Sequence, residues 1–133
     1  MATFVEFISQ LHSSKQQAIV WHHQTDDFSC HKALNNYYDE IVEIVDGLVE
    51  SVSGVYGRPQ GYSVQTLKDY VDCQTVIVYF QDLYAYIQSQ RAGLPQESWI
   101  QNQVDEVAQL VAETIYLLTC LLYTSPSPRD QRG

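Results

Sequence analysis

The stretch WHHQTDDFSCHKALNNYYDEIVEIVDGLVESVSG, residues 21–54, decides how the chain is read. Leu34, Tyr37, Tyr38, Ile41, Val45, Leu48 and Val52 recur at three- and four-residue steps. That spacing lines one face of an α-helix. Thr25, Asp26 and Asp27 stand before it and offer oxygens to the free N–H groups of a helix start. Gly54 stands where a left-handed residue would close it. The pattern predicts a helix over 27–53.

The same periodicity extends to both sides. Phe4, Val5, Ile8, Leu11, Ala18, Ile19 and Trp21 predict a helix over 3–23. The segment VYGRPQGYS at 55–63 carries two glycines and a proline and reads as a loop. Leu67, Tyr70, Val71, Val78, Leu83 and Ile87 predict a third helix over 64–91. Its centre, TVIVYF at 75–80, is β-branched and aromatic, yet helical spacing flanks it and no breaker interrupts it. Ala92, Gly93, Leu94 and Pro95 end it, and Trp99, Ile100, Val104, Val107, Leu110, Val111, Thr114, Ile115 and Leu118 mark a fourth helix over 96–119. Four amphipathic helices joined by three short breaks imply an all-α four-helix bundle. The loop at 55–63 is long enough either to turn or to cross the bundle.

Composition narrows the function. Of 133 residues, 7 are Lys or Arg and 16 are Asp or Glu, a net charge of −9. Such a deficit argues against nucleic acid and against an anionic membrane surface as partners. No run of about 18 apolar residues predicts a membrane-spanning helix, and the start MATFVEFISQLHSSK does not follow the pattern of a secretory signal. Cys30, Cys73 and Cys120 are odd in number and far apart. They predict neither a metal-type pair nor a disulfide framework, and a reducing cytoplasm fits them. The end, LLYTSPSPRDQRG at 121–133, changes abruptly to Ser, Pro and Arg. It resembles the translated adapter tail that ends many open reading frames. We therefore read 1–119 as the bundle and 120–133 as a non-native tail; composition alone would also allow a disordered Pro/Ser tail. Without that tail the net charge is −10.

On the second helix a second stripe lies beside the apolar one. With His31 at zero and about 100° per residue, Asp46 falls near 60°, Asp39 near 80° and Glu50 near 100°. Asp46 and Glu50 stand one turn apart, a like-charge pair without a Lys or Arg on its own stripe. A bound cation would satisfy two carboxylates and an imidazole, and such oxygen and nitrogen ligands suit iron, manganese or zinc. A solvated acidic face is the ordinary alternative, and the residues alone leave both open. No Glu precedes a His by three positions, so the Glu-x-x-His signature of single-chain di-iron bundles is absent.

The motifs His-His-Gln-Thr at 22–25, His-Lys-Ala-Leu at 31–34, Tyr-Asp-Glu-Ile at 38–41 and Val-Asp-Gly-Leu-Val-Glu at 45–50 resemble a group of short ferritin-like proteins encoded by tailed phages. The resemblance covers about 9–119. More distantly the chain resembles the Dps miniferritins, which oxidise and store iron. That resemblance implies a ferritin-like bundle that self-associates, and a ferroxidase site with histidines of one subunit facing carboxylates of another. Carried over residue by residue, the ligands would be His22, His31, Asp46 and Glu50, with His23 as the alternative to His22, and the metal would be iron, with manganese or zinc possible. Asn35 stands where Dps proteins often carry an acid, and the Lys-rich arm some of them use on DNA is missing. Tyr38 would lie near such a site, and Trp21 and the other aromatics read as packing residues. His12 reads as uninvolved. The alternative to a ferroxidase is a phage structural or interaction protein that kept the bundle without the chemistry, in the host cytoplasm in either case.

Overall fold

The computed structural model describes residues 2–123, the last three by their backbone alone. The element order is α1 (Phe4–Gln24), α2 (Phe28–Tyr56), α3 (Cys73–Gln90), a 3-10 turn at Arg91–Gly93, and α4 (Ser98–Tyr123). Among the described residues there is no strand, and the chain is an all-α four-helix bundle. No helix of the described residues is long and apolar enough to cross a membrane. The tail from 124 onward lies outside the described residues, and α4 runs past the expected boundary at 119.

Local chemistry explains the starts. Thr3 and Glu6 form a reciprocal capping box at α1, which satisfies two free N–H groups at once. Asp27 accepts from the amides of Ser29 (2.9 Å) and Cys30 (3.1 Å) at the start of α2. α2 runs one turn further than the sequence pattern suggests. Gly54 stays inside it, and Gly57, at φ +89°, ends it. That backbone is open to glycine at little cost and strained for other residues.

The third helix departs most from expectation. It begins at Cys73, not near 64, and 57–72 form an extended crossover. The cause lies on α1. Ser9 Oγ accepts from the Ser63 amide (3.0 Å), Gln17 bonds both the amide (2.8 Å) and the carbonyl (2.9 Å) of Lys68, and Gln24 accepts from the Tyr70 amide (2.7 Å). These side chains take the backbone groups a helix would have paired internally. Val64 and Val71 consequently point to solvent, at 93% and 72% exposure. Asp72 then caps α3 by accepting from the amide and hydroxyl of Thr75, both at 2.8 Å. The segment 75–80 is helical, as expected.

The crossover climbs the length of α1, so α3 starts beside the start of α2 and runs parallel to it. Pairings fix this: Tyr37 meets Phe80, Trp21 meets Tyr79 and Phe7 meets Tyr86. α1 packs on α2, α2 on α4 and α3 on α4, with each of these pairs antiparallel. One long crossover in an otherwise up-and-down bundle is the connectivity of ferritin-like folds. The core along the axis holds Phe7, Leu11, Trp21, Leu34, Tyr37, Ile41, Leu48, Phe80, Ile87, Ile100 and Leu118.

Two expected outcomes follow from the crossover. Gln17→Ala removes both bonds to Lys68 and should cost about 1 kcal/mol, with faster amide hydrogen exchange at Lys68 as the local signature. The bonds from Thr75, backbone first, hold the Asp72 carboxyl below its usual range. A carboxyl depressed in the folded state adds stability above its unfolded pKa and loses it as pH falls through the folded one. The melting-temperature gap between wild type and Asp72→Asn, which keeps a capping oxygen, should therefore narrow from neutral pH toward about pH 3.

Candidate metal centre

The α1–α2 turn brings His22 and His31 together. His22 ends α1 and His31 lies in the first turn of α2. The two imidazoles stack with centroids 3.6 Å apart and planes 22° apart. Each Nδ1 lies 2.9 Å from the other residue's main-chain carbonyl. A carbonyl only accepts, so both Nδ1 atoms carry a proton, and in the neutral form of each ring Nε2 holds the lone pair. Among the described residues neither Nε2 takes part in a hydrogen bond. A backbone carbonyl fixing one ring nitrogen so that the other can bind a metal is a recurrent arrangement in metalloproteins.

His22 is buried and His31 half-buried. Tyr38 sets its ring edge-on to His22 at 5.2 Å, and Phe28 stacks outside His31 at 6.0 Å. Tyr38 donates to Asn35 (3.3 Å), and Asn35 donates to Asp39 (2.8 Å). Asn35 thus ties Asp39 into the surround of the pair. His23 is exposed, and its ring lies 5.5 Å from that of His22, tilted by 53°. Trp21 belongs to the core, packed edge-on to Tyr79 at 5.2 Å.

Asp46 and Glu50 are exposed on the outer face of α2. Along a straight helix His31 lies about 22 Å from Asp46 and about 28 Å from Glu50. One chain therefore cannot close the four residues around one ion, and no group of three or more candidate ligands gathers among the described residues. Side chains that the helix pattern did not reveal come from other elements. Lys15 and His12 of α1 line a cleft with Asp46, and Arg58 lines another with Glu50. His12, set aside on sequence, packs its ring on Tyr62 of the crossover at 5.4 Å. Its pKa is lowered by burial and by Lys15, against the opposing pull of Asp46. Its spacing on α1 carried no signal, because the contacts come from the crossover and α2.

Helix number, connectivity and the histidine pair together define a four-helix bundle with a single long crossover and a histidine-lined turn. Residues 22–118 match the sequence profile of DUF5856, a family of unknown function, and the chain belongs to that family. No curated protein and no solved structure matches it.

Proposed function

We propose that the protein is a ferritin-like, iron-binding chain that works as a homo-oligomer and oxidises Fe(II). His22 and His31 of one protomer would face Asp46 and Glu50 of a second. The observation that carries this reading is the reciprocal histidine lock, which holds the two stacked rings by their Nδ1 atoms at the α1–α2 turn. The carboxylates support it as well, because they are exposed and a second copy can approach them. Iron is the substrate. Each Fe(II) gives one electron to dioxygen or peroxide, and the hard carboxylate oxygens hold the Fe(III) product. A non-catalytic oligomer is the second reading. Lys15 and Arg58 favour it, since each lines a cleft together with one of the two carboxylates.

Fe(II) added in air separates the two, with ferric absorbance as the readout. The ferroxidase reading expects oxidation well above buffer in the wild type, lost in Asp46→Ala/Glu50→Ala with helical content unchanged. Oxidation no faster than buffer in both proteins would leave the second reading.

A further inference from the structure

The crossover forms one wall of a cleft beside α1. Ser9 holds the Ser63 amide, Gln10 and Gln65 exchange side-chain amide bonds, and Gln17 holds Lys68. These ties flank Val64 and Leu67, which line the cleft and remain exposed. His12, Ser13 and Lys15 of α1 form the other wall, and the His12 ring packs on Tyr62 of the crossover. Both walls are therefore held in place by contacts within the chain. The cleft has a volume of about 530 Å³, within the range of small-ligand sites.

Two polar groups in it lack partners. Lys15 is half-buried and is the only Lys or Arg of the lining. Among the described residues the one ion pair is Arg91–Asp105, so no carboxylate lies against Lys15. Ser13 is 8% exposed and borders the same cleft. Among the described residues its hydroxyl makes no hydrogen bond. Poorly solvated polar groups gain most from a partner of matching chemistry.

We propose that this cleft binds a short aliphatic carboxylic acid as its anion, with the carboxylate at Lys15 and Ser13 and the hydrocarbon chain against Val64 and Leu67. One fixed cation matches one negative charge, whereas a phosphate dianion calls for several donors or a guanidinium fork. A carboxylate has two oxygens, which suit an ammonium and a hydroxyl donor. The chain of the acid removes the two exposed aliphatic side chains from water. This site lies apart from the histidine turn and needs no metal.

The test is calorimetric titration of the metal-free, full-length protein with sodium hexanoate, beside hexanol, which has the same chain without the charge. The proposal expects saturable binding of hexanoate, with hexanol about tenfold weaker, the worth of a charge-assisted bond. Lys15→Met should remove that preference. Val64→Asp places a carboxylate in the cleft and should weaken hexanoate about tenfold. Val71→Asp adds the same charge to the same crossover outside the lining and should leave binding unchanged. Val64 and Val71 are both exposed, so these two variants fold and decide the matter should Lys15→Met not. Equal binding of hexanoate and hexanol, or equal loss in Val64→Asp and Val71→Asp, would overturn it. So would the absence of heat with hexanoate, and if Val64→Asp then also dissociates the oligomer, the cleft belongs to a second copy of the chain. Failure here leaves the iron reading intact, because no iron is present and the Asp46→Ala/Glu50→Ala variant bears only on that reading.

Discussion

Chains lacking both histidines, His22→Ala/His31→Ala, and chains lacking both carboxylates, Asp46→Ala/Glu50→Ala, should each oxidise Fe(II) no faster than buffer. Assembled together in equal amounts, they should recover about a quarter of wild-type activity. In a symmetric dimer two equivalent sites form, each using the same patches in opposite order. Random pairing makes about half the dimers mixed, and each mixed dimer holds one intact site of two. No mixture would restore activity if the four residues acted within one chain. The helix geometry already separates them there, by about 22 Å from His31 to Asp46. The experiment therefore reads site location as well as site identity, with initial rates of ferric absorbance as the measurement.

The largest expected effect on stability is at the centre of the bundle. Phe80 is fully buried and packs edge-on to Tyr37 at 4.8 Å and to Tyr79 at 5.4 Å. It links α3 to α2, the two parallel helices that the crossover brings to one end. Phe80→Ala should cost about 3–5 kcal/mol, because the removed ring leaves a cavity that neighbouring helices cannot fill. Against a total of about 5–15 kcal/mol, that is a large share. Urea unfolding should show a lower midpoint at a nearly unchanged slope. Tyr37→Phe is the matched control. The Tyr37 hydroxyl donates to Ser14 (2.7 Å), while Ser14 itself donates to the Leu11 carbonyl (2.7 Å). Losing that hydroxyl should cost only about 1 kcal/mol.

How far the sequence could be read depended on where each interaction partner lies. α1, α2 and α4 were legible because their information is local: Thr3 with Glu6, Asp27 with Ser29 and Cys30, and apolar steps of three and four. The start of α3 was not. Val64, Leu67, Tyr70 and Val71 have helical spacing, but the residues that decide their conformation are Ser9, Gln17 and Gln24 on another helix. No window along the chain contains both partners. Gly54 misled for a related reason, since the helix passes through it to Gly57.

The candidate site divides in the same way. His22 and His31 flank a short turn, and their meeting follows from two helices joined by it. The reciprocal bonds to each other's carbonyls needed coordinates. Lys15 in a cleft with Asp46 and Arg58 in a cleft with Glu50 both depend on the crossover or on helix packing, so no spacing rule exposed them. The aromatic readings were simpler. Trp21, Tyr37 and Phe80 carry large apolar surfaces at core positions of their helices, and burial is their expected fate.

The most direct measurement is anomalous diffraction at the iron edge from crystals of the assembled protein soaked anaerobically with Fe(II). The account predicts iron peaks between the Nε2 atoms of His22 and His31 in one protomer and the carboxylates of Asp46 and Glu50 in a neighbour. Histidine pairs facing solvent or a side chain other than these carboxylates, with no iron beside them at saturating Fe(II), would contradict it.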